Sequence, residues 1–163
     1  MGDRGNIYFV DASARGELRG IYMYTHWAGS YVWKVVKDAL KRGDDRWGDS
    51  QYLARIVFCE LVKDAVLDTT GYGLSTSIGD NEHVIIRVDD TASRVSFHEP
   101  GRERSPKDKG IASWSYEDYV KVPDAKLAST FGSYDAEEEE EAAPPPPKKK
   151  KAAAKKKAGA KKQ

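Results

Sequence analysis

The chain has 163 residues, 39% hydrophobic and 33% charged, with a formal net charge of +1. That length fits one domain with one ordinary core, and the absence of any apolar run of about 18 residues excludes a transmembrane helix. The opening "MGDRGNIYF" lacks the basic-then-apolar order of a signal peptide and places Asn6 where a myristoylation signal takes Ser or Thr, so a cytoplasmic location is expected, with nucleoid association as its extension.

Taken in order, "NIYFVDA" (6–12) is rich in β-branched and aromatic residues and reads as a strand. After the turn "ARGEL", residues 18–27 read as its antiparallel partner. Alternation puts Ile21, Met23, Thr25 and Trp27 on one face and Tyr22, Tyr24 and His26 on the other. Ser30 is the expected N-cap of a helix whose stripe is Val32, Val35, Val36, Ala39 and Leu40, closed by Gly43. A second helix is expected over 50–67. Its apolar residues fall on both sides, Leu53, Ile56, Val57 and Leu61 against Phe58, Val62, Ala65 and Val66, which predicts a helix sandwiched between layers.

"DTTGYG" (68–73) stops that helix. Strands are then expected over 74–78, 83–89 and 94–99, the last two forming a hairpin, followed by a charged surface loop over 100–110. Ser115, with Asp118 three residues on, caps a short helix that packs Trp114, Tyr119 and Val120 back onto the domain. The predicted order β-β-α-α-β-β-β-α implies an α+β fold, a mainly antiparallel sheet packed against two central helices, over residues 1–130.

Residues 131–163 differ in kind. Residues 134–147 hold six acids and no base, and residues 148–163 hold nine lysines and no acid, leaving 18 basic and 20 acidic residues in 1–133. Neither tract can bury enough apolar surface to offset ordering entropy, so a disordered tail is expected, with "PPPP" (144–147) as a stiff spacer.

Few residues offer chemistry. The single cysteine, Cys59, excludes a disulfide framework and a Cys-based metal site; inside "ARIVFCELV" it reads as a small buried apolar residue. His26, at a strand end just before a helix N-terminus, is placed for acid/base work beside an anion, with Trp27, Gly29 and Ser30 lining the approach; the alternative is a histidine that fixes the corner while Trp27 fills the core. Glu60 on an apolar helix face needs a partner, for which Arg4, Arg55 and His26 are candidates; pairing for structure is the alternative to catalysis. Thr69 and Thr70 in "DTTGYG" supply oxygens for a pocket, although a helix stop explains the same residues. His83 and His98 show no ligand spacing, and no metal or cofactor is expected.

The tail lysines Lys148, Lys149, Lys150, Lys151, Lys155, Lys156, Lys157, Lys161 and Lys162 resemble the lysine/alanine tails of linker histones and some bacterial histone-like proteins. Such lysines neutralise phosphates without reading sequence, which makes nucleic acid the expected partner; a solubilising role and binding to anionic membrane are the alternatives. "MGDRGNIYF", "GIYMYTHWAGS", "YLARIVFCELV" and "TTGYGLST" together resemble a family of small bacterial and phage proteins with a Met-Gly-x-Arg start and a Tyr-x-x-His-Trp-x-Gly corner. Arg4, His26, Trp27 and Gly29 match that pattern, and the resemblance implies kinship without a mechanism. The expected function is thus non-specific nucleic-acid association through the tail, joined to a domain that recognises a ligand or a protein. The alternatives are a hydrolase acting on a phosphate-containing substrate through His26, Glu60 and Arg4, and a phage- or defence-related interaction module.

Overall fold

A computed structural model describes residues 2–14 and 16–131, the side chains of Ser13 and Ala14 excepted. Its elements are β1 (Gly5–Ala14), β2 (Glu17–Thr25), a 3₁₀ turn at Gly29–Tyr31, α1 (Val32–Arg42), α2 (Ser50–Leu61), β3 (Tyr72–Ser75), β4 (Ile85–Asp89), β5 (Arg94–His98), β6 (Ala112–Ser115), α3 (Tyr116–Tyr119) and α4 (Asp124–Phe131). The fold is α+β as the patterning predicts: a six-stranded sheet in the order β3-β2-β1-β4-β5-β6, antiparallel at every step except the parallel pairing of β1 with β4. The tail and its nine lysines, Phe131 apart, lie outside the described residues.

Alternation sorts the central strands into two faces. Ile7, Phe9, Met23, Ile86, Val88, Val95 and Phe97 face the helices and form one core with Val32, Val36, Ala39 and Leu40 of α1 and Leu53, Val57 and Leu61 of α2. The opposite face carries a smaller cluster of Tyr8, Val10, Leu18, Tyr22 and Ile85, with Tyr8 and Tyr22 stacked at 4.5 Å. Segment 100–110 is the expected surface loop, largely exposed, but it also crosses that second face, where the Arg104 carbonyl accepts the Leu18 N–H at 3.1 Å. Glu103 is 2% exposed and accepts the Tyr22 hydroxyl at 2.6 Å and the Gly101 N–H at 2.7 Å.

Several expectations are corrected. The second helix ends at Leu61, six residues early, and it is not sandwiched: Leu53, Val57 and Leu61 enter the core beside α1, whereas Tyr52 and Cys59, the latter expected to be buried, are exposed, as are Val66 and Leu67 beyond the helix end. Its apolar pattern runs on past the point where a packing partner exists. Residues 112–115 form an edge strand too short to show alternation, and Ser115 ends that strand while its Oγ accepts the Asp118 N–H at 3.1 Å as the expected cap of α3. The further helix α4 is anchored by Leu127, by Phe131 stacked on Phe97 at 3.7 Å, and by Asp124 paired with the buried Lys37. Trp27 does not fill the core; it is 59% exposed, beyond the end of β2.

Candidate functional site

The first residues of the chain meet the end of β2, the 3₁₀ turn and the segment before β4 at one end of the sheet. Thr25, fully buried, accepts the N–H groups of Trp27 and Ala28 through its hydroxyl at 3.2 and 3.1 Å, which turns the chain out of β2. His26 holds both neighbours of that turn: its N–H donates to the Gly71 carbonyl and its carbonyl accepts the Asp3 N–H, each at 2.8 Å. Its ring shares a hydrogen bond with the Tyr24 hydroxyl through Nδ1 at 2.9 Å and lies edge-on to Trp27. Gly71, at φ +91°, backs onto Trp27, and a Cβ there would stand 2.6 Å from the indole nitrogen.

Asp3 organises the next layer. Its carboxylate accepts the Ser30 N–H at 3.0 Å, the Ser30 hydroxyl at 2.6 Å and His83 Nε2–H. Burial pushes the Asp3 carboxyl up, but the Ser30 donors and His83 outweigh it and hold the group below its ordinary value. Ser30 therefore serves Asp3 and does not cap α1, which starts two residues later at Val32 with no side-chain cap. Gly29 allows the close approach, since a Cβ would lie 2.6 Å from His83 Cδ2 and 2.7 Å from the Arg4 carbonyl carbon.

Arg4 and Asn6, two apart on β1 and its approach, share a face with Tyr24, the cross-strand partner of Asn6. Arg4 pairs with Asp80 at 3.3 Å and stands 3.8 Å from Glu82. Asn6 is fully buried; its Nδ2 donates to the Asp80 carbonyl at 3.0 Å and to Asn81 Oδ1 at 3.1 Å. Its Oδ1 and the Arg4 Nε are buried with no partner on the protein. Asn6 and Tyr24 line an open cavity of about 260 Å³ together with Leu74, Ser75, Ser77 and Ile78.

The corner thus gathers Arg4, His26, Trp27, Gly29 and Ser30, five of the eight globular residues singled out from the sequence. Glu60 is elsewhere: at 6% exposure on α2, it accepts from Arg42 of α1 and from Lys63 at 3.0 Å. Burial pushes its carboxyl up, but Lys63 and Arg42 outweigh that and hold it ionised, so it ties the two helices together. Among the described residues no hydrogen bond or ion pair joins Glu60 to Arg4 or His26. Thr69 and Thr70 are exposed on the approach to Gly71. Sequence reasoning missed Asp3, Asn6 and the run Asp80–Glu82, and set His83 aside; their proximity comes from the parallel β1–β4 pairing that no local pattern announces.

A second polar network crosses the far half of the sheet. Ser96 Oγ–H donates to His98 Nε2 at 2.7 Å, and His98 Nδ1–H donates to Asp108 at 2.9 Å, the hydrogen-bond order of a serine-hydrolase relay. Burial and the nearby Arg87 pull His98 down, so the ring is neutral as that order requires. Ser96, however, is 1% exposed and its oxygen accepts Arg87 Nε–H at 3.2 Å. Arg87 also donates to the carbonyls of Glu103, Ser105 and Asp108, so the network clamps segment 99–110 onto the sheet. Comparison of the chain with protein-family models, curated proteins and solved structures finds no match.

Proposed function

We propose that the folded domain recognises a small, planar, polar group at the Asn6–Tyr24 corner, and that the lysine tract adds non-specific association with nucleic acid. The observation that carries the first half is Asn6 Oδ1, an acceptor at full burial without a donor from the protein. Leaving such an atom unsatisfied costs about 1–3 kcal/mol, and a ligand that brings an N–H recovers it. A nucleobase fits this demand: it offers an exocyclic amine or ring N–H to the amide and a flat face to Tyr24. The acidic side chains nearby, Asp80 and Glu82, favour a neutral heterocycle over its phosphate.

The test is a titration of the intact chain with the four unphosphorylated ribonucleosides, followed by amide NMR and thermal shift. The expected result is perturbation of residues 6, 24 and 73–79 by the amine-bearing nucleosides, lost in Asn6→Leu. Absence of any perturbation at millimolar nucleoside refutes the reading.

The nine lysines with no intervening acid support the second half. If all engage duplex DNA, the logarithmic salt dependence of binding reaches a slope of about −8, from roughly −0.9 per phosphate contact. Deletion of 148–163 is expected to abolish most affinity for unrelated DNA and RNA sequences. Equal affinity and slope without the tail would move the binding surface onto the domain.

A further inference from the structure

We infer that Asp3, Glu82 and His83 form a binding site for a divalent transition-metal ion of the zinc type. One ligand atom from each lies within 4.8 Å of the other two, and the three residues enter from separate parts of the chain, the approach to β1 and the approach to β4. Two carboxylate oxygens and an imidazole nitrogen are the mixed donor set that suits zinc, whereas calcium and magnesium prefer oxygens alone. Bonds of about 2.0–2.2 Å place tetrahedral ligand atoms roughly 3.3–3.6 Å from one another, so Asp3 and His83, now hydrogen-bonded to each other, part slightly to admit the ion.

The surroundings are built for holding ligands in place. Ser30 fixes the Asp3 carboxylate through its N–H and hydroxyl, the second hydrogen-bonding layer that orients a metal-binding carboxylate. Glu82 Oε2 accepts the Arg4 backbone N–H at 3.1 Å, which fixes that side chain while leaving Oε1 for a cation. Asn81 Nδ2 donates to the His83 carbonyl and holds the loop that presents the imidazole. His83 Nε2 now donates to Asp3; a metal takes that place, with the imidazole in the tautomer protonated at Nδ1. His83, Asp3 and Glu82 are each partly exposed, at 26%, 34% and 44% of the side chain, so water can complete the coordination. The Arg4 guanidinium, 3.8 Å from Glu82, opposes the cation, and its closer pairing with Asp80 at 3.3 Å offsets that repulsion.

The inference does not rest on the nucleobase reading, since the ligands are different residues and the probe is the metal alone. Full-length protein stripped with a chelator is titrated calorimetrically with Zn²⁺, and separately with Co²⁺ for its visible ligand-field absorption. The expected result is one ion per chain, at least tenfold weaker binding in both His83→Ala and Glu82→Gln, and unchanged binding in His26→Asn. Circular dichroism checks that each variant folds; if His83→Ala does not, Glu82→Gln decides, because it removes no buried contact. Binding that survives Glu82→Gln undiminished, binding lost instead in His26→Asn, or no binding at 100-fold molar excess over protein overturns the assignment.

Discussion

Asp3→Ala tests the corner most directly. The substitution removes an acceptor serving three donors, Ser30 N–H, Ser30 Oγ–H and His83 Nε2–H. Hydrogen bonds to a charged group contribute about 1.5–3 kcal/mol each, but the Asp3 side chain is 34% exposed, so water replaces part of what is lost. A net loss of about 2–4 kcal/mol follows, equivalent to a fall in Tm of roughly 8–15 °C for a folded unit of this size. Urea unfolding of wild type and variant measures it, and the cycle with His83→Ala should give a coupling of about 1–2 kcal/mol. The pH dependence has a definite sign. Because the folded carboxyl titrates below its ordinary value of 3.8, its stabilisation is complete above that value and is lost as pH falls through the lower, folded value. The difference between wild type and Asp3→Ala should therefore shrink on acidification below about pH 4. A loss under about 0.5 kcal/mol, the range of an ordinary surface change, or a difference that persists unchanged to pH 2.5, refutes the account of the corner.

Arg87→Met deprives three loop carbonyls and Ser96 Oγ of their donor, with a loss of about 3–5 kcal/mol expected from breaking a buried charged network. Limited trypsin digestion should then cut at Arg102 and Arg104 far faster than in wild type; an unchanged digestion pattern would show that segment 99–110 is held by other contacts. Cys59, exposed on α2, should react with Ellman's reagent in the native protein without a slow opening phase. A reaction rate limited by unfolding would place the thiol in the core, where the apolar run around it suggests it belongs.

What could be read from the sequence was what is local. The stripe Val32, Val35, Val36, Ala39 and Leu40 is buried on α1 as its spacing predicts, and the alternation of Ile21 and Met23 against Tyr22 and Tyr24 separates the two faces of β2. Periodicity misled where it outlasted its tertiary partner, as at Val66 and Leu67 beyond α2. Composition identified 100–110 as a surface loop, which it is, but not that Glu103 within it is buried against Tyr22 or that its carbonyls answer Arg87. The His26 corner was legible as a strand-to-helix junction, but its polar partners were not. Asp3 and His83 are 80 positions apart, and only the pairing of distant strands brings them together.

That pairing also sets the order in which the chain can fold as it is synthesised. β1 and β2 form a hairpin from adjacent residues, yet the other edge of β1 stays open until β4 has been made, about 60 residues later, or roughly 3–12 s at ribosomal rates of about 5–20 residues per second. During that interval Ile7 and Phe9 on one face and Tyr8 and Val10 on the other belong to a nascent strand with an unpaired rim, the kind of surface that joins neighbouring nascent chains. α1 and α2 emerge within the same interval and can shield the Ile7 and Phe9 face. The Tyr8 and Val10 face must wait longer still, for segment 99–110, so aggregation of this protein on the ribosome would start from that side.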